Sequence, residues 1–114
     1  MSGARMRRVD VAMRQVLGDA LAQDLKDPRI GFVTVTDVKT SSDLRHARVY
    51  VSVLGTAPEQ EATLDGLRSA HGFLQGRVAG ELRLKRTPEL TFELDHTAEE
   101  AARLERLIEE AGGA

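Results

Sequence analysis

Alternation between apolar and polar side chains along Leu44–Leu54 is the feature that most constrains the fold. Successive side chains point to opposite sides of the chain in a β-strand. One side of the alternation carries Ala47, Val49, Val51 and Val53. The pattern therefore predicts a strand whose apolar side is buried under other elements, with polar residues such as His46 on its outer side.

Two further strands are predicted from shorter patterns. β-Branched residues dominate Phe32–Val38. Apolar and polar residues alternate along Leu90–Leu94, as they do along Leu44–Leu54. Only the polar segment Lys39–Asp43 separates Phe32–Val38 from the alternating strand. We therefore expect these two neighbours to form an antiparallel hairpin.

Helical spacing of apolar residues occupies both ends of the chain. Residues 5–25 form an amphipathic pattern, which Asp27-Pro28 should end because the residue before a proline is disfavoured in the α region. A capping-box pattern at Thr97–Glu100 predicts a final helix that runs to about Ala111. Its inward-facing side is expected to carry Ala101, Leu104 and Ile108.

The helical region between the second and third strands contains a discontinuity. It begins at a capping box, Thr56–Glu59. Its first apolar stripe ends at Ala70, and the second stripe, which starts at Leu74, does not continue the same helical period. The segment between the stripes is Ala70-His71-Gly72, and a glycine inside a helix costs about 1 kcal/mol relative to alanine. We predict a kink or short break there, and we expect Pro88 to end the second helix.

The resulting order of elements is α-β-β-α-kink-α-β-α. The second and third strands are joined through a helix pair, so they should be parallel if they are adjacent. We predict an α+β fold with a three-stranded mixed sheet and helices on one face. The 114 residues fit one domain, which we place at residues 5–111 with flexible ends at 1–4 and 112–114.

Several classes of protein are excluded by what the sequence lacks. It contains no cysteine, which excludes disulfides, thiol catalysis and cysteine-ligated metals. No apolar run approaches the roughly 20 residues that span a bilayer. The three histidines have no metal-ligand spacing, and no phosphate loop or nucleophile motif is present. We therefore expect a cytoplasmic protein that is not an enzyme, needs no cofactor or metal, and has no membrane partner.

Charge is distributed unevenly along the chain. The net charge is −2, yet residues 97–114 contain five glutamates against Arg103 and Arg106, which leaves the remainder slightly basic. A basic surface with an acidic end is compatible with RNA binding, and also with the mixed charge of an ordinary soluble surface.

Gly72, Gly76 and Gly80 recur every four residues and so fall on one side of a helix. A side without side chains admits another helix or a nucleic-acid backbone, and it is also compatible with a merely weak helix. Residues 62–86 around these glycines carry a net charge of +3. Aromatic stacking is not expected to be the main mode of binding, because most of the few aromatic residues should be buried: Phe32, Tyr50, Phe73 and Phe92.

The chain resembles the ribosome-binding factor A family from Arg8 to about Ile108. The resemblance rests on segments in the same order: Asp27-Pro28-Arg29, Val33–Val38, Ser42–Leu44 with Ala47–Ser52, Ala70–Leu74, and Pro88–Phe92 with Asp95. It implies a type II KH-like domain in which Ala70-His71-Gly72 replaces the usual Gly-x-x-Gly loop, and in which the first helix packs beside the kinked pair. It also implies binding to the small ribosomal subunit, help in the late maturation and processing of its rRNA, and importance at low temperature. Gln75 departs from the family, which more often has arginine there.

These observations together predict an RNA-binding surface on the kinked helix pair and the first helix. Its residues are Arg7, Arg8, Arg14, Arg68, His71, Gly72, Arg77, Arg83, Lys85 and Arg86. The predicted partners are the small subunit and its rRNA, with a GTPase as a candidate release factor, and the protein is expected to be a monomer. Two other functions stay open. One is a general KH-type RNA-binding protein or RNA chaperone without a dedicated ribosomal partner, and the other is a protein-interaction adaptor that uses the exposed sheet face and the acidic last helix.

Overall fold

A computed structural model describes residues 2–112, with side chains from residue 3. The predicted order of elements is confirmed: α1 (Ser2–Gln23), β1 (Val33–Thr40), β2 (His46–Val53), α2 (Ala57–Ser69), α3 (His71–Leu82), β3 (Glu89–Leu94) and α4 (Thr97–Gly112). Residues 2–4 and 112, which were expected in flexible ends, belong to helices α1 and α4. The rest of those ends, Met1, Gly113 and Ala114, lies outside the described residues.

The three strands form one mixed sheet with β2 in the centre. The predicted hairpin is confirmed, since β1 pairs antiparallel with β2 from Val33 opposite Val53 to Thr40 opposite Ala47. The predicted parallel pairing of β2 with β3 is confirmed as well. A bulge between Val35 and Asp37 interrupts the register of β1 at Thr36.

The core lies between the sheet and three helices. The apolar side of β2 is buried as its alternation predicted, with Ala47, Val49 and Val51 fully buried. Helices α1, α2 and α3 cover this side, and helix α1 also packs against α3. Their buried side chains include Met13, Leu17, Ala20, Leu64, Leu67, Leu74 and Val78. The other face of the sheet is open and carries exposed polar residues such as His46 and Arg48.

Helix α1 ends at Gln23, two residues before the predicted end and ahead of Asp27-Pro28. The Asp27 carboxylate accepts hydrogen bonds from the backbone amide and the guanidinium of Arg29, at 2.9 and 2.7 Å. This short turn leads to Ile30, which packs directly against Gly66 of α2, where a β-carbon would approach Ile30 Cγ1 to 2.7 Å. The segment therefore stabilises the connection from α1 to the sheet.

Helix α3 ends earlier than predicted, at Leu82 rather than at Pro88. Arg83 follows with φ 48° and ψ 41°, in the left-handed region. This conformation turns the chain out of the helix, as a residue in that region commonly does at a helix end. Pro88 is instead fully buried at the entry to β3.

Helix α4 has the predicted extent but not the predicted packing. Every residue of Thr97–Gly112 is exposed, so the expectation that Ala101, Leu104 and Ile108 face inward is wrong. Thr97 also lies inside the helix and does not cap it. The Asp95 carboxylate accepts a hydrogen bond from the Thr97 amide at 2.9 Å instead. The stripe was correctly recognised as amphipathic, but the sheet and three helices already complete the core without it.

Candidate nucleic-acid interface

The break between α2 and α3 is the predicted kink. Helix α2 begins at the predicted capping box, with the Glu59 amide donating to Thr56 Oγ1 and the Thr56 amide donating to Glu59 Oε1. It ends at Ser69, and Ala70 at φ −87° and ψ 7° joins it to α3. The Ala70 amide bonds back to the carbonyls of Gly66 and Leu67, while its own carbonyl accepts from Leu74. The junction is thus closed by hydrogen bonds on both sides.

One side of α3 is bare helix backbone. Gly72, Gly76 and Gly80 are exposed, and a β-carbon built on any of them would meet no described atom within 4 Å beyond the helix and its neighbours. Tight packing by another helix, one of the interpretations left open by the sequence, is therefore wrong within residues 2–112. We call this side of α3 the glycine face. It offers a partner close access to helix backbone.

Basic side chains lie at both ends of α3. At its start, Arg68 is exposed and 3.7 Å from Asp65, while half-buried His71 places Nε2 3.6 Å from Glu89 Oε2. After its end, Lys85 and Arg86 are exposed on the loop 83–88, which we call the exit loop. Neither has an ion-pair partner among the described residues, so their charges are available to an anionic ligand.

Gln75 ties the exit loop to α3. Its side-chain amide donates to the Pro88 carbonyl, and its Oε1 accepts from the Leu90 amide at 3.2 Å. The exit loop therefore leaves α3 at Leu82 and returns beside Gln75, in the first half of the same helix. Gln75 thus satisfies the backbone where β3 begins, which is a structural role.

Arg77 occupies an unexpected position. Its guanidinium bonds to Asp24, just beyond the end of α1, and to Glu81 one turn further along α3 at 3.0 Å. These two hydrogen-bonded carboxylates raise the pKa of Arg77. Counting charge along residues 62–86 could not find Asp24, because that residue is far away in sequence. Arg77 joins α1 to α3, and its charge is largely matched within the protein.

The arginines of α1 do not form one cluster with those of α3. Asp24 contacts α3, whereas Arg8 lies 16 residues earlier in the chain, about 24 Å away at 1.5 Å per helical residue. Arg7 and Arg8 instead border a shallow apolar patch with Ala4, Val11 and Ala12. Arg14 bonds to the Thr36 carbonyl at the bulge of β1, at 3.3 Å. The predicted set thus divides into a group on α3 and a group on α1.

The expectation that most aromatic residues are buried is wrong. Only Phe92 belongs to the core, whereas Phe32 is 82% exposed and Phe73 is 44% exposed. Phe73 lies next to Gly72, with the Arg77 guanidinium 6.0 Å from its ring centre. The sequence held a signal for this, since Phe73 precedes the stripe of Leu74 and Val78 and is not part of it. An aromatic side chain therefore borders the glycine face.

Other kinds of site find no support in the part of the chain that is described. Over residues 2–112, no three histidine, aspartate or glutamate side chains come together in a way that suits a metal ion. None of the helices in this range combines the length and apolar character needed to cross a membrane.

The fold and this surface define a class of protein: an α+β, type II KH-like domain whose kinked helix pair exposes backbone beside cationic side chains. The family model for ribosome-binding factor A matches residues 5–108. The chain therefore belongs to the ribosome-binding factor A family, and the resemblance found in its motifs is confirmed.

Solved structures of the same family share this fold. A ribosome binding factor A from Thermotoga maritima, assigned provisionally and determined by NMR in solution, is 41% identical with a TM-score of 0.71, and the match covers 78% of this chain and 85% of that one. The crystal structure of the Thermus thermophilus factor is 28% identical with a TM-score of 0.70, covering 78% and 93%. A Thermus thermophilus homology model fitted into a cryo-EM map of a 30S complex with the factor is 29% identical with a TM-score of 0.64, covering 76% and 91%.

Proposed function

We propose that this protein is a non-catalytic assembly factor that binds the immature small ribosomal subunit. Its role is to hold segments of rRNA during late maturation and processing, and this help is most needed at low temperature. The supporting relative is the Thermus thermophilus factor fitted into a 30S complex. In this proposal the protein acts in the cytoplasm as a monomer and leaves the subunit with the help of a GTPase.

The observation that carries the proposal is the glycine face with its flanking cations. Phosphate contacts by lysine and arginine position a protein on RNA without reading its sequence. KH domains hold a few backbone nucleotides beside a glycine-containing helix junction, and the kink at Ala70-His71-Gly72 provides a similar junction here. Lys85, Arg86 and Arg68 supply the charges, and Gly72, Gly76 and Gly80 leave room for a sugar–phosphate backbone.

Charge reversal on two matched pairs tests this assignment. Lys85→Glu with Arg86→Glu reverses two cations of the exit loop, whereas Arg103→Glu with Arg106→Glu makes the same change on the already acidic α4. All four side chains are exposed, so each change should alter the free energy of unfolding by less than about 0.5 kcal/mol per residue. Arg77 is unsuitable for this test, because its reversal would break the contact with Asp24.

Binding to purified small subunits at fixed salt is measured by sedimentation. We expect the exit-loop pair to lose most of its binding and the α4 pair to keep most of it. Equal losses would mean that only the total charge matters. Undiminished binding by the exit-loop variant would overturn the proposed interface. Equal binding to small subunits and to unrelated structured RNA would favour a general RNA-binding protein.

A further inference from the structure

Helix α4 presents an apolar stripe that nothing in residues 2–112 covers. Leu104, Leu107 and Ile108 are 58, 55 and 60% exposed. Their spacing of three and four residues places them on one side of the helix, in line with Ala101 and Ala111. This is the pattern of a helix that buries one face, yet every residue of α4 is exposed.

An uncovered helix of this length is unusual on energetic grounds. Isolated helices shorter than about 12–15 residues are marginal in water, and the 16 residues of α4 exceed that length only slightly. Most helical stability in proteins comes from packing of an amphipathic face, so a contact with another molecule would stabilise α4. The stripe was predicted to face the core, but its residues are not part of the core.

The start of α4 is nevertheless firmly held. Asp95, between β3 and α4, accepts a hydrogen bond from Thr36 Oγ1 at 2.6 Å and one from the Thr97 amide at 2.9 Å. His96 Nδ1 lies 3.1 Å from Glu99 Oε2 in the first turn. Thr36 belongs to the bulge of β1, so these contacts connect the helix to the sheet. The helix therefore leaves the domain in a defined direction.

The charge of α4 indicates the chemistry of its partner. Five glutamates against Arg103 and Arg106 give it a net charge of −3. Phosphate groups are repelled by this surface, whereas a basic protein surface is complementary to it. Its first turn borders Lys39 and Tyr50 on the open face of the sheet, whereas α1, α2 and α3 cover the opposite face. The acidic and basic surfaces thus belong to different sides of the sheet.

We propose that α4 is a protein-docking helix whose apolar stripe packs on a basic protein of the small subunit while the glycine face of α3 contacts rRNA. This proposal rests on the proposed function, because the partner is a component of the same particle. The acidic flank selects the protein and excludes RNA, and the stripe of Leu104, Leu107 and Ile108 provides the buried contact. The domain then binds through two surfaces of opposite charge.

A triple variant, Leu104→Ala with Leu107→Ala and Ile108→Ala, tests the stripe. Alanine preserves helix propensity and charge, so the helix content of the variant should not fall. Phe32→Ala with Leu54→Ala is the matched control, because these two side chains are 82 and 77% exposed and lie outside α4, before β1 and after β2. Affinity is measured for complete small subunits and, separately, for protein-free small-subunit rRNA.

We expect the triple variant to bind complete subunits about tenfold or more weakly, since buried interface anchors dominate affinity. Its affinity for protein-free rRNA should be unchanged, and the control should match the wild type on both. Glu105→Gln with Glu109→Gln should also weaken binding to subunits, in that case more at low salt than at high salt.

Three results would overturn the docking proposal. They are an equal loss on protein-free rRNA, unchanged affinity for complete subunits, and a wild-type dimer in sedimentation velocity that the triple variant converts to monomer. The last would show that a second copy covers the stripe. Failure of the proposed function looks different, because in that case the exit-loop variant would retain its binding to rRNA.

Discussion

Arg83 holds a left-handed backbone conformation that L-residues adopt at a cost of about 1 kcal/mol. Glycine has no β-carbon and adopts it freely. Strained residues often lie at functional sites, where the side chain is needed despite the strain. Arg83 follows α3 as the first residue of the exit loop, so its strain could be retained because its side chain is needed for binding.

Arg83→Gly should therefore stabilise the fold and weaken binding. We expect the free energy of unfolding to rise by about 0.5–1 kcal/mol, which corresponds to roughly 2–6 °C in Tm, while affinity for small subunits falls. Leu44→Gly is the control, since Leu44 is the other described non-glycine residue with positive φ and lies in the hairpin turn. It should leave binding unchanged. A lower Tm for Arg83→Gly would show that the side chain stabilises the fold more than the strain destabilises it.

Asp95 gives the fold a defined response to acid. Hydrogen bonds from Thr36 and Thr97 lower its pKa from 3.8 to about 2. Because the folded pKa is below the unfolded one, its contribution to stability is complete above about pH 4 and is lost as the pH falls through about 2. We expect the wild type to lose its stability advantage over Asp95→Asn across that range. Chemical unfolding at several pH values measures this, and parallel curves for the two proteins would contradict it.

At the scale of the element, the glycines of α3 weaken the helix and also leave its backbone open to a ligand. Three glycines in a 12-residue helix weaken it, yet none of them is needed to accommodate a described neighbour. Gly66 in α2 is the contrast, because Ile30 packs against it. The glycines of α3 are therefore unfavourable for folding and suited to close approach by a ligand.

Gly76→Ala with Gly80→Ala should accordingly raise the free energy of unfolding by up to about 1 kcal/mol per site, the difference in helix propensity. The same change should weaken binding to small subunits, because two methyl groups then project from the glycine face. Gly72→Val should weaken binding further while shifting Tm by only a few degrees. Thermal unfolding and sedimentation separate the two effects. Stabilisation without loss of binding would show that RNA does not approach this face.

At the scale of the whole molecule, the acidic α4 and the cations around α3 form two separate surfaces. The radius of gyration is 16.3 Å, against about 13 Å for a compact domain of this length, in line with an α4 that lies off the core. The net charge of −2 would suggest weak attraction to RNA if the charges were evenly spread. Separation of the acidic α4 from the cations around α3 removes this difficulty.

Binding to protein-free rRNA should depend strongly on salt. If about four to six phosphates are neutralised, the logarithm of affinity should fall against the logarithm of salt concentration with a slope of about −3 to −5. Titrations over a range of salt measure the slope. The exit-loop variant Lys85→Glu with Arg86→Glu should reduce its magnitude by about two, and a wild-type slope near zero would contradict binding through the RNA backbone.

Local sequence patterns determined most of the elements and their order. The alternation of Ala47, Val49 and Val51 predicted β2 and its buried side, and the capping box at Thr56 predicted the start of α2. The mismatch of stripes around Ala70 predicted the kink. These features depend on side chains a few residues apart and on backbone preferences, so the sequence expresses them directly. The exact ends of α1 and α3 did not follow from these patterns. Arg83, for example, ends α3 in a backbone conformation that its residue type does not favour.

Only the tertiary structure decided which of these faces are covered. The stripe of Leu104 and Ile108 was correctly predicted to be amphipathic, yet the core is complete without it. The sequence predicted that Arg77 would contact RNA, but in the fold its guanidinium is paired with Asp24. The glycine face is an open surface because α1 packs against another side of α3. Burial and ion pairing depend on contacts between residues distant in sequence, whereas periodicity reports only which side of an element is apolar.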